Sequence, residues 1–193
     1  MTSAALAAGV ASLTASSGQR SDATSVAAEA RSVPAREAAV FGVLATPRTP
    51  ADSFVPVRAG TGPFGANPQL ARSVRERSGG LSTGLVSVVP ANGAVCLRVP
   101  VADDISQWWC QRLAAAARGE LLAAIRPAGR LRASNQLIVG LVPDGVHSVL
   151  IASAGGARHV VPVTRNVYDA QLYAPKRVFI TLPGRGTVQY GAP

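Results

Sequence analysis

Residues 135–151, NQLIVGLVPDGVHSVLI, constrain the chain more than any other stretch, because two apolar, β-prone runs flank Pro143-Asp144-Gly145. Proline presets a turn dihedral, aspartate hydrogen-bonds the nearby backbone, and glycine takes positive φ at no steric cost. The pattern predicts a strand over 136–142, a reversal, and an antiparallel return over 146–152. Gly155-Gly156 then turns the chain into a third run at 159–163, so this region reads as a meander of locally paired strands.

Similar punctuation recurs on both sides. Runs at 84–89 and 93–99 are separated by Pro90-Ala91-Asn92-Gly93, a hairpin signal. Residues 121–125, 166–172 and 177–182 read as further strands, and Pro183-Gly184-Arg185-Gly186 reverses the chain into 187–190. About eight or nine short strands at this spacing argue for a mainly β domain, an antiparallel sandwich or open barrel. One or two short helices complete it. Asn67-Pro68 is a good helix start, with the helix running to Arg77; residues 113–117 form another, stopped at Gly119 and preceded by a loop from 102 onward.

With 193 residues, 48% hydrophobic and only 15% charged, the chain suits one packed domain plus tails. Residues 1–38 are rich in Ala, Ser and Thr and read as a disordered low-complexity tail, or as the remnant of an export signal followed by a linker; the β-rich globular domain then spans 39–193. No run reaches the eighteen or so apolar residues of a membrane-spanning helix.

The net charge of +9 rests almost wholly on arginine, Lys176 being the one lysine. Its tightest groups are Arg72, Arg75, Arg77 and Arg126, Arg130, Arg132. A surface that uses arginine in place of lysine explains them more simply than a nucleic-acid footprint, which needs clustering on one face. Aromatic residues, at 5%, leave few platforms for stacking bases or sugars. A cytosolic, basic nucleic-acid-binding or regulatory protein working through the Arg72, Arg75, Arg77 face therefore stands as the alternative reading.

Catalytic chemistry finds little support. His147 and His159 are the only histidines, and a hairpin closed at Gly155-Gly156 offsets them by about four residues, on the order of 13 Å. Ser148 follows His147 directly, so the two point to opposite faces of a strand. Asp103 and Asp104 fit helix capping better than a carboxylate pair, Asp144 fits its turn, and Gly184-Arg185-Gly186 lacks the strand, glycines and helix of a phosphate loop. Asp169 with His147 or His159 would be the only acid–base set. No catalytic, cofactor or metal residues are assigned. Trp108 and Trp109, beside Cys110, are the candidate partner contact, or else a plug for the open end of the barrel. Cys96 and Cys110 match neither a zinc ribbon nor a redox Cys-x-x-Cys; in an oxidising compartment they form one disulfide, in the cytosol two apolar thiols.

At FGVLATPRTPAD (41–52), Val95-Cys96-Leu97, Cys110 with the Ala-rich turn to Gly119, residues 140–146 and Asn166-Val167-Tyr168, the chain resembles a group of uncharacterised exported proteins of high-GC actinomycetes. The resemblance covers roughly residues 39–190. It implies placement outside the cytoplasm, in the medium or at the cell envelope, and a Cys96–Cys110 bridge; the expected role is non-enzymatic binding or structural contact, with an envelope component or a protein as the partner. It supplies no activity.

Overall fold

Turn chemistry and side-chain alternation dictate most of the strands, and burial decides how they assemble. The computed structural model describes residues 32–54, 63–77, 84–102, 105–126 and 135–193. The tail expected over 1–38 falls mostly outside these, as do Asp103, Asp104, Arg130 and Arg132. The compact unit begins at Val33, and helix α1 (Ala35–Val40) crosses residue 38 with Glu37 buried and accepting from the Gly93 N–H at 3.2 Å. A second short helix, α2 (Gly42–Ala45), follows at once.

Three antiparallel sheets carry the fold. The front sheet runs in chain order: β1 (Arg72–Arg77), β2 (Gly84–Ala91), β3 (Ala94–Ala102) and β4 (Ile105–Arg112). Helix α3 (Leu113–Ala116) leads out of it. The middle sheet is β5 (Leu122–Ile125), β6 (Asn135–Leu141) and β9 (Val167–Tyr173), with β6 central. The back sheet is ordered β11-β10-β7-β8, from β7 (Ser148–Ser153), β8 (Arg158–Pro162), β10 (Pro175–Leu182) and β11 (Gly186–Gly191). The fold is thus mainly β and layered, and the described strands form no closed barrel.

The middle sheet explains the run LIVGL. Successive strand residues face opposite ways, and both faces of β6 are covered: Leu137, Val139 and Leu141 pack with Val86, Val88, Leu97 and Val99 of the front sheet, while Ile138 packs with Val149, Ile151, Val178 and Ile180 of the back sheet. A strand buried on both faces is apolar at every position rather than at alternate ones. Each such side chain contributes roughly 1.5–3 kcal/mol by leaving water, so the layers are held by two aliphatic cores. Gly140 lies opposite Tyr168 on β9, and a Cβ there would overlap the phenol ring.

Three expectations are corrected. The Pro143-Asp144-Gly145 turn does not close a hairpin: β6 pairs with β5 and β9, β7 with β8 and β10, and the turn carries the chain from the middle to the back sheet. Burial of β6 on both faces favours flanking strands within its own layer over the next strand in sequence. The helix expected over 67–77 is one turn, Pro68–Leu70, followed by β1. Asn67 caps that turn as expected, accepting from Gln69 N at 3.0 Å; pairing with β2 and the anchoring of Arg72 then draw the chain into the sheet. The loop expected over 102–112 is largely strand β4, since Ile105, Trp108 and Trp109 are β-prone and β3 offers a free edge. The hairpins at Asn92-Gly93, Gly155-Gly156 and 183–186 form as read.

Candidate functional site

The cysteines lie directly opposite one another on β3 and β4 and are bridged, with Cα atoms 4.0 Å apart. Their sulfurs rest 3.8 and 3.9 Å from the Pro63 carbonyl oxygen. Ala66, Ala71, Val89, Ala91 and Ala94 surround Cys96, so the segment 63–71 covers this region of the front sheet's outer face. The two tryptophans face opposite ways. Alternation sends Trp108 to the outer face beside the disulfide and Trp109 inward onto the front–middle core, both half-buried. Trp108 is the cross-strand neighbour of Arg98, whose pKa burial pulls down.

Of the arginines singled out in the sequence, Arg72 and Arg75 are engaged within the molecule, while Arg126 is exposed. Arg72 is buried, and its guanidinium donates to the carbonyls of Thr46 (2.8 Å), Leu70 (3.0 Å) and Ala71 (3.2 Å). Arg75 reaches from β1 to the buried Asp169 of β9 at 2.7 Å, tying front to middle sheet. The Arg77 side chain lies outside what the structure describes. Arg165, at positive φ in the turn before β9, donates to the Ser73 carbonyl at 2.9 Å and to Thr46 Oγ1 at 3.3 Å. These contacts use the guanidinium forks as latches between segments far apart in sequence.

Two acids do similar work. Asp52, buried, accepts from the backbone N–H groups of Ser73 (2.5 Å) and Thr49 (2.6 Å) and from the Thr49 hydroxyl. Burial pushes its carboxyl up, yet these hydrogen bonds and the Arg72 charge outweigh that and leave it below the ordinary carboxylate value. A carboxyl depressed by folding adds stability above its unfolded pKa, and that stability is lost as pH falls through the folded value. Asp52→Ala should therefore lower the unfolding free energy by about 2 kcal/mol at neutral pH. The difference from wild type should shrink below about pH 4, read from urea midpoints along a pH series. The Asp144 side chain reaches beyond its own turn: Oδ1 accepts from Gly42 N (2.8 Å) and Asn166 Nδ2 (2.7 Å), fastening α2 to the crossover.

The histidines are separated as the register requires. Ser148 faces Pro162 and Ile151 faces His159 on the β7–β8 pair, and Val163 N donates to the His147 carbonyl at 2.9 Å. Asp169, engaged with Arg75, belongs to a different sheet. Among the described residues no three His, Cys, Asp or Glu side chains converge as a metal would need, and no helix is long and apolar enough to cross a membrane.

Among the described residues, the outer face of the back sheet is left open. The pairing aligns Val160, Leu150, Phe179 and Gln189 in one row across four strands, Pro162, Ser148, Thr181 and Thr187 in a second, and Arg158, Ala152 and Arg177 in a third. A shallow depression of about 390 Å³ lies over the first two rows and Arg158. Val160 is 72% exposed, an unusual cost for a β-branched apolar residue in mid-strand, and Leu150 and Phe179 are half-buried. Sequence reasoning missed this face. The alternation Arg177-x-Phe179-x-Thr181 was visible, but its meeting with Leu150 and Val160 depends on a β7–β10 pairing between strands far apart in the chain. Comparison with protein-family models, curated proteins and solved structures finds no match to this chain.

Proposed function

We propose that the chain is a non-enzymatic, disulfide-stapled β domain that acts outside the cytoplasm, at the cell envelope, by binding or structural contact. The Cys96–Cys110 bridge carries this reading, because such bridges persist in oxidising compartments and are rare where thiols are kept reduced. The resemblance to exported actinomycete proteins supports it from the sequence side. The competing nucleic-acid reading loses ground because Arg72 and Arg75 spend their hydrogen bonds on backbone carbonyls and on Asp169. Mass spectrometry of the natively produced protein, alkylated before lysis and analysed without reduction, should find the bridge intact in the envelope or secreted fraction. Free Cys96 and Cys110 in a cytosolic fraction would refute the proposal.

A further inference from the structure

We propose that the outer face of the back sheet binds an acidic, extended peptide segment of a partner protein, an inference that rests on reading the domain as a contact module and names what it contacts. Charge selects the occupant. After Asp144 the chain holds a single acid, Asp169, and that one is buried against Arg75 on another sheet. The face itself carries Arg158 and Arg177 in the row beside the apolar one, both exposed and neither ion-paired among the described residues. A second copy of the chain would bring the same uncompensated arginines face to face, so self-association is opposed by the charge that favours an acidic partner. With Phe179 as the face's only aromatic ring, stacking of sugars or bases has a single platform.

Spacing narrows the partner further. Arg158 and Arg177 flank Ala152, two strand widths apart, about 10 Å. In an extended or polyproline II chain, residues three apart are separated by about 9–10 Å, and in the latter they share a face. A Glu-x-x-Glu spacing therefore sets one carboxylate on each guanidinium, while an apolar side chain between them reaches the depression over Leu150, Val160 and Phe179. On the far side Ser148 presents a hydroxyl to backbone groups, and Thr181 and Thr187, whose hydroxyls hydrogen-bond each other at 2.9 Å, leave one further donor between them.

The test uses the full chain, ¹⁵N-labelled, titrated with a short peptide repeating Glu-Leu-Pro. Amide shifts should change at residues 148–162 and 177–189, and the affinity should fall as salt is raised. Arg158→Glu/Arg177→Glu should weaken binding by about tenfold. Arg185→Glu, in the turn beyond the depression, should leave it unchanged. No perturbation of this face at millimolar peptide would overturn the proposal. So would equal binding of a Lys-Leu-Pro repeat, stronger binding of anionic phosphatidylglycerol vesicles or a single-stranded oligonucleotide through the same residues, or dimerisation on this face. Purified protein is used throughout, so a face that fails to bind and a chain that proves cytosolic are separate results.

Discussion

Gly140→Ala should cost about 3 kcal/mol of unfolding free energy, seen as a lower urea midpoint at unchanged slope. Gly140 is the penultimate residue of β6, the central strand of the middle sheet, opposite Tyr168, whose ring occupies the space a Cβ would need. Tyr168 is fully buried in the cluster that includes the back sheet's Val178 and Ile180, so moving the ring aside would disturb that core. The substitution must either do that or push apart a pair of strands or a pair of sheets. The cause is separable from any general dislike of alanine in a strand. Tyr168→Ala removes the ring at its own cost of about 3–5 kcal/mol, and in that background Gly140→Ala should be neutral or stabilising by a few tenths, because alanine restricts the unfolded chain. A coupling energy of about 3 kcal/mol in the double-mutant cycle follows; additive costs would mean that the overlap is not the reason.

The same pair of residues shows what could and could not be read beforehand. Local chemistry was legible: Asn92-Gly93, Gly155-Gly156 and residues 183–186 turn the chain where their backbone preferences say, and the β7–β8 register follows from the turn alone. Partner choice was not. Pro143-Asp144-Gly145 is an equally good reversal, yet it joins two layers, because a strand apolar at every position needs cover on both faces and finds its hydrogen-bonding partners in β5 and β9. Arg72 shows the limit for charged residues. Its spacing with Arg75 and Arg77 looked like a surface group, and only the fold reveals three carbonyls waiting for its guanidinium. The open face of the back sheet was hidden for a related reason: its rows are assembled from β7, β8, β10 and β11, and no local window contains more than one side of the depression.

Breaking the Cys96–Cys110 bridge should have a comparable effect on stability but a different signature. The bridge closes a loop of about 15 residues, which the chain-entropy model values at roughly 3 kcal/mol. For a domain of this size that corresponds to a fall in Tm of roughly 6–12 °C for Cys96→Ala/Cys110→Ala. Some of the effect is local. β4 is an edge strand paired only with β3, and it carries Trp109 onto the front–middle core and Trp108 onto the covered outer face. Without the bridge, hydrogen exchange should quicken first along 105–112, while β6, buried between two layers, keeps protection close to the global value. Uniform loss of protection would mean that the bridge acts only through the unfolded chain; selective loss at β4 would mean that it also holds the edge of the front sheet in place. In the second case a reducing compartment would yield a domain whose front edge opens while the rows of Arg158, Phe179 and Thr181 on the opposite sheet remain intact, so peptide binding to that face should survive reduction even as thermal stability falls.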